Sequence, residues 1–220
     1  MKKISIVVPI YNEEESIPYL YKELDEVCQS LPNDYELIFI NDGSKDKSLE
    51  VLEQISNKDE KVFVIEFRRN FGQTAAMAAG LEHTTGDVVV TMDGDLQNDP
   101  REIPRMLRKL NEGYDMVAGW RKDRKDKFIS RKLPSMIANW IISRSTNVHL
   151  HDYGCTLKML TGELARNIKL YGEMHRFIPA LADQYGAKIA ELPVNHRERQ
   201  FGTTKYGISR TIRVVLDLIT

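Results

Sequence analysis

Two carboxylates stand one residue apart in the stretch Asp93-Gly94-Asp95-Leu96-Gln97-Asn98-Asp99-Pro100. It follows Asp87-Val88-Val89-Val90-Thr91-Met92, a short β-branched run that reads as a buried strand. In extended backbone alternate side chains share a face, so Asp93 and Asp95 can address one object beyond the strand end. Gly94 between them permits a tight turn and a close approach. The partner that best rewards two such anions is a hard divalent cation, which takes carboxylate oxygens together with substrate phosphates. Gln97 can add a neutral oxygen to the same ion or to its water. An isolated Asp-x-Asp is more often a loop that caps the next helix, and Asp99-Pro100 does resemble such a cap. Only the surroundings can lift the pair above that reading.

Those surroundings are strands alternating with helices. Residues 4–9 read as a buried parallel strand, and Tyr11-Asn12-Glu13-Glu14-Glu15 as the opening of a helix with acids in its first turn. Ile17, Leu20, Leu24, Val27 and Leu31 give that helix its apolar stripe. A second strand over 36–40 ends in Asn41-Asp42-Gly43-Ser44, and a third over 62–67 ends in Arg68-Arg69-Asn70. Helices follow around Leu52, from the Phe71-Gly72-Gln73 segment to Glu82, and over 103–110; a further strand covers 115–118. This alternation implies right-handed βαβ units, a parallel sheet and helices on both faces. In such sheets ligands bind outside the carboxyl ends of the strands. The polar clusters at Tyr11–Glu13, Asp42–Ser44, Arg69-Asn70 and Asp93–Gln97 all fall there, a convergence that capping alone does not produce.

Composition narrows the classes. The chain has 220 residues, a formal net charge of −1 and two cysteines, Cys28 and Cys155. That length suits one domain with a substantial core, and the charge provides no global field to recruit nucleic acid. Two cysteines make no disulfide framework. No run of about 18 apolar residues is present, so no membrane span is expected within the chain. The second half differs in character. Residues 121–132 are rich in Arg and Lys, 133–146 read as a Trp-bearing amphipathic helix, and 196–206 form a cationic, glycine-containing loop suited to anions. Strands are expected over 156–160 and 188–194, with a helix over 177–185. Ile208, Ile212, Val215, Leu216 and Ile219 mark a last amphipathic helix.

Pro9-Ile10-Tyr11-Asn12-Glu13, Asn41-Asp42-Gly43-Ser44, Asp93-Gly94-Asp95-Leu96-Gln97 and Asp152-Tyr153-Gly154-Cys155 occur in this order. Together they resemble glycosyltransferase family 2, and within it the polyprenyl-phosphate glycosyltransferases. The resemblance covers essentially the whole chain. It implies an α/β, Rossmann-like GT-A fold with a mostly parallel sheet, helices on both faces and amphipathic membrane-surface helices. Residues 1–120 would form the nucleotide-sugar half and 121–220 the acceptor half of one continuous domain, with a transmembrane region expected after 220. The implied activity is inverting transfer of a hexose from a nucleotide diphosphate sugar, UDP-glucose-like by preference with GDP-mannose as the alternative, to a polyprenyl phosphate.

Residue by residue, the resemblance assigns Pro9, Tyr11, Asn12, Glu13, Asp42 and Asp93 to the nucleotide. It gives Asp93, Asp95 and Gln97 to Mg²⁺ or Mn²⁺. Arg131, Ser135, Arg199 and Lys205 go to the acceptor or its phosphate, and Asp95, Arg121 and Asp152 to catalysis. Where relatives with hydroxyl acceptors carry a Glu-Asp pair this chain has His151-Asp152, which weakens Asp152 as a general base. The expected setting is the cytoplasmic face of a membrane, with assembly into homo-oligomers through the missing region left open. The alternatives are transfer to a saccharide hydroxyl and a sugar-phosphate nucleotidyltransferase. The second would need a glycine-rich phosphate loop where Glu13-Glu14-Glu15 stands.

Overall fold

The computed structural model describes residues 2–122, 148–172 and 174–201. The β-strands are β1 (Ile4–Ile10), β2 (Tyr35–Asn41), β3 (Val62–Glu66), β4 (Val88–Thr91), β5 (Met116–Trp120), β6 (Lys158–Thr161) and β7 (Ile189–Pro193). The α-helices are α1 (Ile17–Gln29), α2 (Ser48–Ser56), α3 (Gln73–Glu82), α4 (Ile103–Leu110), α5 (Gly162–Asn167) and α6 (Ile178–Gln184). One sheet takes all these strands in the order β3-β2-β1-β4-β6-β5-β7. Side-chain alternation divides the core between its faces. Ile4, Ile6, Val8 and Ile10 pack with α1, Leu52 of α2 and the stripe Ile103, Met106, Leu107 and Leu110 of α4. Val7, Ile38 and Ile40 pack with Ala76, Met77 and Leu81 of α3, Leu164 of α5 and Ile178 of α6. The sheet is covered on both faces, as the continuous apolar strands require.

Three local features differ from the sequence expectation. Residues 11–15 do not open a helix; α1 begins at Ile17 and has no acid in its first turn. Asn12 sits at φ +51°, outside helical space for an L-residue. The backbone N–H groups of Asn12, Glu13 and Glu14 donate to Ser44, Ser48 and Asp46. With its donors committed to the loop after β2, this segment forms a rim turn. The second difference is β6, which runs antiparallel to both neighbours, with Thr91 opposite Lys158 and Val88 opposite Thr161. Residues 152–155 already lie at the rim, so the strand that follows can only run away from it. The third is α5, which the hydrophobic pattern did not reveal because it is six residues long. Its available signal is the N-cap Thr161, whose hydroxyl accepts from Leu164 N–H. The amphipathic segments 133–146 and 208–219 lie outside the described residues. Among the described residues no helix is long and apolar enough to cross a membrane.

Candidate active site

The Asp93–Asp99 loop leaves β4 and is held by its own polar groups. Asp93 N–H donates to Asn98 Oδ1 at 2.8 Å, Gln97 N–H donates to Asp95 Oδ1 at 3.0 Å, and Asp99 caps Arg101 N–H. A Cβ on Gly94 would meet Ile10 Cδ1 at 2.4 Å, so glycine lets this loop lie against the end of β1 without moving the Ile10 side chain. Leu96 adopts φ +64° with its side chain buried, a backbone state that non-glycine residues rarely take.

The two carboxylates have different partners. Asp93 Oδ1 accepts from Gln73 Nε2 at 2.7 Å, from the first turn of α3. Asp95 Oδ2 accepts from Arg199 Nη2 at 2.6 Å, while Arg199 Nη1 reaches Glu13 Oε1 at 3.1 Å. The loop after β1, the loop after β4 and the segment after β7 therefore meet at one guanidinium. Asp95 is pushed up to about 6, first by burial and then by the charge of Asp93, against the pull of Arg199. The segment that carries Arg199 is stitched to the aspartate loop. Arg197 N–H donates to Gln97 O at 2.9 Å, and its side chain pairs with Asp99 at 2.5 Å and Glu23 at 2.7 Å. Gln97 turns its amide nitrogen to Arg197 O at 3.4 Å.

A second cluster lies beyond β5. Arg121 grips Asp152 with both arms, Nε to Oδ2 at 2.7 Å and Nη2 to Oδ1 at 2.9 Å, and Gly154 N–H donates to the same Oδ1. The pair is buried, 12% and 8% exposed at the side chains. Burial opposes the Arg121 charge, but the hydrogen bonds and charge of Asp152 outweigh it and hold its pKa above the ordinary value. Behind the pair Lys158 is fully enclosed, donating to the carbonyls of Tyr153 and Cys155, and burial pushes it down to about 8. His151 stacks on Trp120 and pairs with Glu191 at 2.6 Å.

Asp42 occupies a third position, at the end of β2. Its carboxylate accepts from Phe71 N–H at 2.7 Å, Gly72 N–H at 2.9 Å and Asn70 Nδ2 at 2.9 Å. Burial raises its pKa despite these bonds. Gly43 beside it has φ +62°, and a Cβ there would lie 2.3 Å from the Arg69 carbonyl carbon. The crossing of these two loops bounds a cleft of about 330 Å³ lined by Ser44, Lys45, Phe67, Arg68 and Arg69. Asp42 thus organises the 70–72 loop. With Asp42 taken, as the resemblance implies, for a nucleotide contact, Asp42→Ala is expected to weaken nucleotide binding about ten- to a hundredfold, with turnover at saturating donor reduced far less. Calorimetric titration of UDP beside steady-state rates checks this. A fall in turnover with unchanged nucleotide affinity would remove Asp42 from the donor site.

The structure brings Glu13, Asp93, Asp95, Gln97 and Arg199 into one cluster, Arg121 and Asp152 into a second, and leaves Asp42 at a third strand end. Pro9 and Tyr11 are half-buried at the end of β1 beside Asn12, whose Oδ1 accepts from Lys45 N–H. Arg131, Ser135 and Lys205 lie outside the described residues. Sequence reasoning missed Gln73, Asn98, Arg197 and Lys158, and also His175, whose Nδ1 is 2.7 Å from Thr74 Oγ1 next to Gln73. A polar residue beside a glycine at a helix start was the available signal for Gln73; the others had none.

Among the described residues no three His, Cys, Asp or Glu side chains are grouped to hold a metal by themselves. Two carboxylates suffice for a hard cation that arrives with phosphate oxygens and water. The cationic guanidinium already seated against Asp95 and Glu13 shows that this pocket accepts positive charge. The donor set fits Mg²⁺ or Mn²⁺ held by Asp93 and Asp95, with Gln97 at hand.

A parallel sheet with one antiparallel insertion, and an acidic pair outside β4, define a GT-A-like fold. The chain belongs to glycosyl transferase family 2, whose profile matches residues 5–168. It is 46% identical over 222 residues to a dodecaprenyl-phosphate galacturonate synthase of Rhizobium johnstonii, covering 99% of this chain and 66% of that protein. The chain thus spans about two thirds of the length of that relative. Solved structures share the fold at low identity. Mannosyl-3-phosphoglycerate synthase from Rubrobacter xylanophilus matches at 16% identity with a TM-score of 0.78, covering 99% of this chain and 72% of that one. Glucosyl-3-phosphoglycerate synthase from Mycobacterium tuberculosis, in complex with Mn²⁺ and UDP-glucose, matches at 19% identity with a TM-score of 0.74, covering 99% and 77%. A mannosyltransferase from Pyrobaculum calidifontis in complex with GDP-Man and Mn²⁺ gives 19% and 0.70, covering 99% and 62%.

Proposed function

We propose that this chain transfers a sugar from a nucleotide diphosphate sugar to a polyprenyl phosphate, with inversion at the anomeric carbon and with a divalent cation at Asp93 and Asp95. The acceptor phosphate oxygen forms the new bond to the anomeric carbon as the bond to the diphosphate breaks, and the leaving diphosphate keeps the electron pair. The cation, when bound, supplies charge to that leaving group. In this reading Arg199 would add a guanidinium to the same oxygens, and Arg121, near the rim but paired with Asp152, would add further positive charge.

One observation carries the choice of acceptor. Asp152 stands where hydroxyl-transferring relatives keep a base, yet both its oxygens are gripped by buried Arg121. A carboxylate so held is a poor proton acceptor, and a phosphate, already anionic, needs none. The relative's name moves the donor from the glucose expected on sequence to a hexuronate, for which we take UDP-galacturonate as the first candidate. Two fold neighbours were solved with Mn²⁺ and a nucleotide sugar, GDP-Man in one and UDP-glucose in the other, in keeping with a cation and a nucleotide sugar here but not with a particular sugar.

The test incubates the protein with UDP-galacturonate, UDP-glucose or GDP-mannose, with and without undecaprenyl phosphate in anionic vesicles, and analyses the lipid by mass spectrometry. Lipid-linked uronate appearing only with metal and prenyl phosphate is the expected result. Transfer confined to saccharide hydroxyls, or nucleotide release indifferent to the lipid, would overturn the proposal. Because the acceptor tail lies in a bilayer, the site must open at a membrane face, and the basic run 121–132 suits an anionic one. Co-sedimentation with the vesicles at low salt and release as salt rises is the corresponding expectation.

A further inference from the structure

The guanidinium of Arg199 lies between two carboxylates of the rim. Its Nη2 is 2.6 Å from Asp95 Oδ2 and its Nη1 is 3.1 Å from Glu13 Oε1, with only 18% of the side chain exposed. Asp95 is the residue that a cation would need, and its other oxygen accepts from Gln97 N–H. Asp93 adds a third negative charge whose effect on Asp95 is felt directly. These acids repel one another, and in the free protein Arg199 is the cation that bridges Asp95 and Glu13, while Asp93 accepts from Gln73.

We propose that Arg199 is a placeholder for the divalent cation, occupying Asp95 until a cation arrives with a diphosphate. This rests on the reading of Asp93 and Asp95 as the cation site. A cation and the guanidinium cannot both sit on Asp95 Oδ2, so binding of the first displaces the second. A bare cation would drive Arg199 off Asp95, leaving it Glu13 alone and no new partner. A cation–diphosphate complex brings phosphate oxygens that accept the displaced guanidinium, so the exchange conserves charge-assisted hydrogen bonds. The protein therefore binds the metal weakly by itself and takes it together with the donor. The anchoring needed for such a swing is present. Arg197, two residues earlier, is fixed to Asp99 and Glu23, and Phe201, two residues later, stacks on Tyr19 with ring centroids 5.5 Å apart. Arg199 can exchange partners while its segment stays docked.

The experiment measures Mn²⁺ binding by calorimetry and by the electron paramagnetic resonance signal of free Mn²⁺, with no nucleotide and then with UDP. Wild type, Arg199→Gln, Arg199→Lys and Asp95→Asn are compared after circular dichroism has shown each folded. Without nucleotide, Arg199→Gln is expected to bind Mn²⁺ about tenfold or more tightly than wild type, since the competing ion pair is gone. Arg199→Lys, a single-point cation, falls between them. With UDP present the advantage of Arg199→Gln shrinks or reverses, because the diphosphate loses its guanidinium. Equal or weaker Mn²⁺ binding by Arg199→Gln without nucleotide, while Asp95→Asn loses Mn²⁺, would overturn the placeholder and leave the cation site standing. Asp95→Asn binding Mn²⁺–UDP as well as wild type would overturn both.

Discussion

Asp95→Asn is expected to lower kcat/KM for sugar transfer by about a thousandfold or more, and at neutral pH to leave the protein at least as resistant to heat as wild type. The loss follows from charge. A cation at the leaving diphosphate supplies several kcal/mol of transition-state stabilisation, and about 1.4 kcal/mol is a factor of ten in rate. The amide offers only a neutral oxygen, a weaker ligand that brings no charge to the cation. The stability effect follows from burial. The folded state raises Asp95 to about 6, above its ordinary 3.8, so ionising it works against the fold. The sign is that of a raised acid: its favourable contribution is complete below the unfolded pKa and is lost as pH rises through the folded one. Asparagine stays neutral throughout and escapes that loss, and Arg199 keeps Glu13 as a partner. Thermal unfolding at pH 5 and pH 8 should show the gap in Tm, variant minus wild type, widening toward pH 8. A variant within tenfold of wild-type activity at saturating Mn²⁺ would contradict the catalytic part. A gap that narrows with pH would contradict the electrostatic part.

The second large effect belongs to the pair beyond β5. Asp152→Ala leaves the Arg121 guanidinium buried without its counter-charge. Breaking a buried pair in this way costs about 3–5 kcal/mol, or a fall in Tm on the order of 10 °C for a chain of this size. Transfer should fall about a hundredfold or more even where the variant is folded, because Arg121 loses the partner that aims it at the rim. Replacing both members, as Arg121→Met with Asp152→Leu, separates the two consequences. Two apolar groups fill the space without a stranded charge, so most of the lost stability should return. On the role proposed for Arg121, activity should not return, since the double variant has no cation at that position. Recovery of transfer along with stability in the double variant would reduce the pair to a structural tie.

The elements were largely legible because their signals are local. The apolar runs at 4–9, 36–40 and 87–92 exceed what any surface segment would carry, and each formed a strand within a residue or two of its expected ends. The stripe of Ile103, Met106, Leu107 and Leu110 announced α4 for the same reason. Asp99 was read as a helix cap and does cap, at 3.1 Å to Arg101 N–H. Where a segment's polar groups bond far along the chain, local reading failed. Residues 11–15 look helical from their acids, and only the hydroxyls of Ser44 and Ser48, more than 30 residues away, turn them into a rim loop.

The sequence by itself determined that this is an α/β chain with its polar clusters at the strand ends, because burial periodicity and the residues that break it are properties of neighbours. It also carried the acidic pair and the ordered motifs by which the family is recognised. The tertiary structure alone decided which groups face one another: Arg199 against Asp95 across 104 positions, Arg121 against Asp152 across 31, His175 against Thr74 across 101. No periodicity encodes such pairs. They exist because β6 inserts antiparallel and returns the chain from the rim, and because the segment after β7 comes back over the aspartate loop, where a buried carboxylate needs a cation and the nearest one belongs to a distant part of the chain.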